Sequence, residues 1–192
     1  MPLPTDKSFD DLFGYRHTKK WAKSMCNPWM EFCEVNAPVL KYQLPNIVTT
    51  INIVVTVGAF ASLYLGATRN TMYYAVGLIF LGVRQYLDML DGSVARTCDM
   101  KSKFGNYYDH ISDAVFIVGL LTLFVYLTHP SMRPLAIGVA GIGLIAFMSE
   151  IVNVILEKDS VVDPRINDNL IAINLFMYMA IVLFIEWSKK AG

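Results

Sequence analysis

Two pairs of aspartates lie close together in the middle of this sequence, Asp88 with Asp91 and Asp109 with Asp113. Members of a pair are three or four residues apart, a spacing that puts both carboxylates on one face of a helix. Carboxylate oxygens are the ligands that Mg²⁺ and Mn²⁺ prefer, and carboxylates on two facing helices can bridge a pair of ions. Two bound ions can grip a diphosphate and stabilise a leaving phosphate. The pattern therefore predicts a site for two divalent cations that handles phosphate groups.

The residues between the two pairs also suit a phosphate ligand. Gly92, Ala95 and Gly105 remove side-chain bulk where a ligand would approach the helix backbone. Arg96 can bind a phosphate through two parallel hydrogen bonds from its guanidinium. One carboxylate outside the tightest metal shell could take a proton from an attacking alcohol. The competing interpretation, helix-end aspartates that face water, fails for Asp113, because its flanking segment predicts a place inside a membrane.

The segments that must position these residues are strongly apolar. Hydrophobic residues make up 55% of the 192 residues and charged residues 17%, a balance typical of membrane proteins. Five stretches are apolar enough to be membrane helices, namely 44–67, 72–87, 111–129, 134–156 and 169–187. The predicted fold is therefore an all-α integral membrane protein with five to six transmembrane helices, formed by residues 44–192.

Residues 1–43 form a separate N-terminal segment. Basic residues are mixed there with Trp21, Trp29 and Phe32, which suits an amphipathic segment lying in the headgroup region. The step from Asn27 to Pro28 predicts a break between two short helices. Basic residues are more frequent on the N-terminal side of the predicted spans than on the other side, which predicts a cytosolic N-terminus and a site facing the cytosol.

Three polar residues in the apolar stretches are candidates for binding the second substrate: Arg84, Glu150 and Asn153. In the predicted orientation all three lie in the same leaflet as the aspartates. Arg84 could instead pair with a nearby acid, and Glu150 and Asn153 could form a hydrogen bond between packed helices.

Net charge and cysteine content argue against a nucleic-acid-binding protein and against a disulfide-stabilised one. The formal net charge is zero, which predicts no nucleic-acid partner. Cys26, Cys33 and Cys98 are odd in number and lack C-x-x-C spacing. We therefore expect free thiols and no disulfide.

Segment 88–113 fits the pattern D-x2-D-G-x2-A-R-x8-G-x3-D-x3-D at all eight fixed positions. This resembles the signature of the CDP-alcohol phosphotransferases, which are integral membrane enzymes of phospholipid synthesis. Segment 44–49 (LPNIVT) also resembles the usual entry into the first helix of that family. The resemblance implies transfer of a phosphatidyl or phosphoalcohol group from a CDP-linked donor (CDP-diacylglycerol or a CDP-aminoalcohol) to an alcohol acceptor, with release of CMP.

The resemblance also implies a role for each motif residue. Asp88, Asp91 and Asp109 would hold two divalent cations (Mg²⁺ or Mn²⁺), while Asp113 would complete the second metal's surroundings and act as the base. The residues that would contact the CDP group or allow its approach are Asp88, Gly92, Ala95, Arg96 and Gly105. The family usually has six spans and commonly forms homodimers. We expect a homodimer in the lipid bilayer, at the endoplasmic reticulum in a eukaryote or the plasma membrane in a prokaryote.

The residues that flank the motif leave the acceptor open. Ala114 replaces the arginine that usually follows the last aspartate in inositol-type members. The Asp109-His110 pair is more similar to choline and ethanolamine phosphotransferases, and a serine-type enzyme also remains possible.

Two other functions also fit the acids: a divalent-cation transporter, and a catalytically silent relative that binds CDP-lipid. The position of Arg96 favours the transferase over the transporter, since a cation path has no use for an arginine beside its ligands. The intact set of aspartates favours an active enzyme over a silent relative.

Overall fold

The computed structural model describes residues 15–156 and 164–191, with side chains for 18–145, 147–148 and 176–191. Within these ranges the chain forms six α-helices and no strand. They are α1 (Tyr15–Asn36), α2 (Leu44–Thr68), α3 (Met72–Thr97), α4 (Lys103–Leu127), α5 (Arg133–Leu156) and α6 (Pro164–Ala191). Short 3-10 turns, Pro38–Leu40 and Pro130–Met132, precede α2 and α5. The predicted all-α fold is confirmed.

Helices α3 and α4 are joined by a short turn, and both pack against α2. After α3 ends at Thr97, Asp99 adopts the left-handed conformation (φ 53°) that aspartate tolerates better than most residues. The hydroxyl of Ser102 then accepts a hydrogen bond from the backbone N–H of Gly105 (2.9 Å) and caps α4. The turn thus brings the last turns of α3 beside the first turns of α4, where the two aspartate pairs lie.

The main apolar core is formed by α2, α3, α4, α5 and α6, and it includes Phe116, about one helical turn from Asp113. Leu63, Leu120 and Ile185 are almost completely buried there. In a membrane this packing stabilises the bundle through van der Waals contacts, because lipid is as apolar as the side chains themselves. The Tyr74 hydroxyl donates to Glu186 (2.6 Å). The bond from Tyr74 to Glu186 ties α6 to the start of α3.

Helices α2 and α4 are long and apolar enough to cross a membrane, judged by length and composition over the described part of the chain. Their outward faces expose Ile51, Val54, Val115 and Val118. Exposed apolar side chains on two such helices suit lipid better than water. The count of five to six spans stays a prediction.

Helix α1 runs uninterrupted through Pro28, so the predicted break at Asn27-Pro28 is wrong. Ala22 and Cys33, on either side of the proline, are both fully buried. Packing of α1 along α3 therefore holds both halves on one axis, despite the backbone hydrogen bond that Pro28 cannot donate.

A disulfide joins Cys26 of α1 to Cys98 at the end of α3, with Cα atoms 5.6 Å apart. The expectation of three free thiols is therefore wrong for this pair, whereas Cys33 is free and buried. Sequence spacing does not reveal the pair, because 72 residues separate the two cysteines and only the packing of α1 on α3 brings them together.

Candidate active site

Three of the four aspartates come together between α3 and α4. One side-chain oxygen from each of Asp88, Asp109 and Asp113 lies within 4.8 Å of the other two. Asp88 is on α3, and the other two are one helical turn apart on α4. We call these three residues the carboxylate cluster. Its oxygens are close enough for one divalent cation to contact all three side chains.

Two oxygens of the carboxylate cluster, Asp88 Oδ1 and Asp109 Oδ1, are buried and accept no hydrogen bond from the described residues. Such atoms are rare in folded proteins, because burial removes hydration that nothing replaces. A hard cation can replace it, since carboxylate oxygens are its preferred ligands. The residues present therefore fit a divalent ion.

Asp91 lies one turn beyond Asp88 on α3, and its side chain is held by α2. The Thr49 hydroxyl donates to Asp91 Oδ2 at 2.7 Å. Both residues are almost completely buried. The same hydroxyl lies 3.2 Å from the backbone oxygen of Pro45. A hydroxyl has one proton, and the carboxylate is the closer and stronger acceptor. The Thr49 hydroxyl therefore donates to Asp91 rather than to Pro45.

Arg84 is buried beside the carboxylate cluster and forms an ion pair with Asp113. Its guanidinium also lies 4.0 Å from Asp88 Oδ1 and stacks over the Phe116 ring, 3.9 Å from the centroid. The arginine offsets part of the negative charge and is oriented by the aromatic face. The sequence predicts that Arg84 either pairs with an acid or binds the acceptor. The structure contains the pairing with an acid, and contact with an acceptor stays a prediction.

The small residues of the motif lie at the end of α3 and the start of α4. A Cβ added at Gly105 would meet Asn46 Oδ1 at 2.9 Å and Ser102 Oγ at 3.0 Å, so a larger residue would displace these two side chains, including the cap of α4. A Cβ at Gly92 would lie 3.2 Å from the Arg96 guanidinium. Gly92 and Ala95 are half-buried, and Arg96 is exposed.

An open cavity of about 590 Å³ lies beside the start of α4. Asn46, Lys101, Lys103 and Gly105 are among its lining residues. The two lysines give this cavity a positive potential that suits phosphate groups.

Glu150 and Asn153 lie outside the residues whose side chains the structure describes. Their part in an acceptor site stays a prediction.

Two polar residues, Thr49 and Asn52, lie on the buried face of α2, although no sequence motif assigns them a role in the site. Thr49 holds Asp91, and Asn52 is completely buried one turn further along the same helix. The signal was present in the sequence, since Thr49, Asn52 and Thr56 recur at helical spacing in a segment that has no charged residue.

Comparison with known proteins supports the family resemblance of segment 88–113. A family model described as CDP-alcohol phosphatidyltransferase matches residues 42–191. A Dictyostelium discoideum protein named "Uncharacterized CDP-alcohol phosphatidyltransferase class-I family protein 2" is 27% identical over 124 residues, which cover 59% of this chain and 29% of that protein. The chain thus spans less than a third of the length of that relative. No solved structure matches the chain significantly.

Proposed function

Because the chain belongs to the CDP-alcohol phosphatidyltransferase family, we propose that it transfers a phosphatidyl or phosphoalcohol group from a CDP-linked donor to an alcohol, with release of CMP. Membership of this family supports a transferase of phospholipid synthesis that lies in a membrane. The observation that carries the finer proposal is the carboxylate cluster, in which one buried oxygen each of Asp88 and Asp109 accepts no hydrogen bond from the described part of the chain.

Asp88, Asp109 and Asp113 would hold divalent cations, with Asp91 completing a two-ion site. Bound Mg²⁺ or Mn²⁺ would supply charge neutralisation of the diphosphate and of the leaving CMP. Thr49 restricts Asp91 to one orientation before substrate arrives, so less ordering is left for the binding step.

Asp113 is the proposed base for the acceptor hydroxyl. The hydroxyl oxygen forms a bond to the donor phosphorus, the bond from that phosphorus to the CMP oxygen breaks, and CMP leaves with the electron pair. The hydroxyl proton passes to Asp113. The ion pair with Arg84 keeps the Asp113 carboxylate directed into the cluster while the other members hold cations.

The CDP group would lie across the end of α3 and the start of α4. Gly92, Ala95 and Gly105 leave room for it beside the backbone, and the exposed Arg96 can reach a phosphate. The lysine-lined cavity beside Gly105 would give the nucleotide an open approach. We propose that the donor's lipid part enters from the bilayer, that the site faces the cytosol, and that the enzyme is a homodimer.

The arginines disfavour a divalent-cation transporter. Arg84 occupies one carboxylate of the cluster, and Arg96 follows the first aspartate pair on the same helix. A permeating cation would meet both positive charges.

The test is acceptor-dependent release of CMP by purified protein in lipid nanodiscs. The donors are CDP-diacylglycerol and CDP-ethanolamine, and the acceptors are serine, inositol, glycerol 3-phosphate and diacylglycerol. We expect one pairing to release CMP with Mg²⁺ or Mn²⁺. Asp109→Asn should abolish release, whereas Asp99→Asn, in the exposed turn between α3 and α4, should retain it. Folded protein that releases no CMP with any pairing would overturn the proposal.

A further inference from the structure

Asn52 is a completely buried amide whose hydrogen-bonding capacity is unused. It is 0% exposed, and neither its Oδ1 nor its Nδ2 has a partner among the described residues. An amide carries strong donors and an acceptor, and burying them unpaired is unfavourable. A buried polar group left in this state indicates a ligand, an ion or a water at that position.

The packing of α2 on α3 identifies what lies opposite Asn52. The two helices run antiparallel, since Thr49 meets Asp91 at one end while a Cβ at Gly66 would meet the Tyr74 ring at the other. Between these ends, a Cβ at Gly77 would lie 3.4 Å from Ser62 Cβ, which keeps the same register.

Moving three residues forward from Thr49 reaches Asn52, and moving three residues back from Asp91 reaches Asp88. Both steps are close to one helical turn, so the buried faces stay opposed. The helical register therefore places the amide of Asn52 opposite Asp88, whose buried Oδ1 likewise accepts no hydrogen bond from the described residues.

We propose that Asn52 is a positioning residue of the metal site, which donates to Asp88 once an ion is bound, as Thr49 donates to Asp91. Its Nδ2 can donate to the Asp88 carboxylate, and its Oδ1 can meet the ion or a water bound to it. Residues Thr49 and Asn52 then form a polar edge of α2 that orients both carboxylates of α3. The inference rests on the proposed metal site.

The first test measures Mn²⁺ affinity by electron paramagnetic resonance on purified full-length protein, without substrates. Asn52→Ala should weaken Mn²⁺ binding by about 10–100-fold, the usual effect of removing a group that orients a metal ligand. The matched control is Ser62→Ala, another buried polar residue of α2 that lies near Gly77 and away from the carboxylates. It should bind Mn²⁺ like the wild type.

The second test uses Asn52→Asp, which keeps the side-chain size and adds a negative charge. If the side chain faces the cluster, metal-free protein should have a lower Tm, and Mn²⁺ should raise that Tm by more than it raises the wild-type Tm. A Tm lowered equally with and without Mn²⁺ would place Asn52 away from the ion and overturn the inference.

Mn²⁺ binding distinguishes a failure of the proposed metal site from a failure of the proposed role of Asn52. Wild-type protein that does not bind Mn²⁺ would contradict the metal site itself. Wild-type protein that binds Mn²⁺, together with Asn52→Ala that binds it equally well, would contradict only the role of Asn52.

Discussion

Replacing Thr49 by valine tests how α2 holds the Asp91 carboxylate. Valine keeps the branched shape and removes the hydroxyl that donates to Asp91 at 2.7 Å. Because both residues are almost completely buried, water cannot readily replace the lost donor. Hydrogen bonds to charged groups contribute about 1.5–3 kcal/mol. At a pH high enough to ionise Asp91 without a bound metal, we therefore expect Thr49→Val to lower the free energy of unfolding by about 2 kcal/mol.

Thr56→Val is the matched control for this substitution. Thr56 lies two turns along the same buried face, and its hydroxyl donates only to the backbone oxygen of Asn52, at 2.9 Å. That bond is between neutral groups, so its loss should cost about 1 kcal/mol or less. The measurement is reversible unfolding in mixed detergent micelles, without divalent ions.

A double-mutant cycle with Asp91→Asn separates the hydrogen bond from other effects of the substitution. In the Asp91→Asn background, Thr49→Val should cost clearly less than in the wild type, because the charged acceptor is gone. Equal costs in the two backgrounds would refute the claim that Thr49 holds Asp91.

Three further predictions concern the cluster and its support. Asp113→Asn should cause a large loss of turnover while Mn²⁺ binding is only partly weakened, and unchanged turnover would remove Asp113 as the base. Arg84→Met should tighten Mn²⁺ binding, because it removes a cation paired with Asp113. The same substitution should lower turnover, because the Asp113 carboxylate is no longer oriented. Weaker Mn²⁺ binding would contradict this prediction. Cys26→Ser should lower the free energy of unfolding by up to about 4 kcal/mol, because the lost disulfide joins cysteines 72 residues apart. Dithiothreitol should lower the free energy of unfolding of the wild type by the same amount and leave that of Cys26→Ser unchanged.

Much of the fold could be predicted from composition and spacing. Long apolar stretches have no backbone alternative to helices in a membrane, and the described helices agree with that prediction. The resemblance to the CDP-alcohol phosphotransferases, carried by segment 88–113, is confirmed by the family match. Spacing also put Asp109 and Asp113 on one face of a single helix, as in α4.

What spacing could not provide is the pairing between helices. The disulfide between Cys26 and Cys98 and the bond from Thr49 to Asp91 each depend on the register of one helix against another. That register is set by packing at distant positions, such as Gly66 against Tyr74. The uninterrupted α1 has the same origin, since burial on both sides of Pro28 outweighs the local cost of the proline.

The most direct test of the central claim is the dependence of CMP release on divalent ions. Wild-type protein with the best donor and acceptor pair should release CMP with Mg²⁺ or Mn²⁺, lose that activity in excess EDTA, and recover it when the ion is restored. Acceptor-dependent CMP release that continues unchanged after the ions are removed would contradict the role assigned to Asp88, Asp91, Asp109 and Asp113.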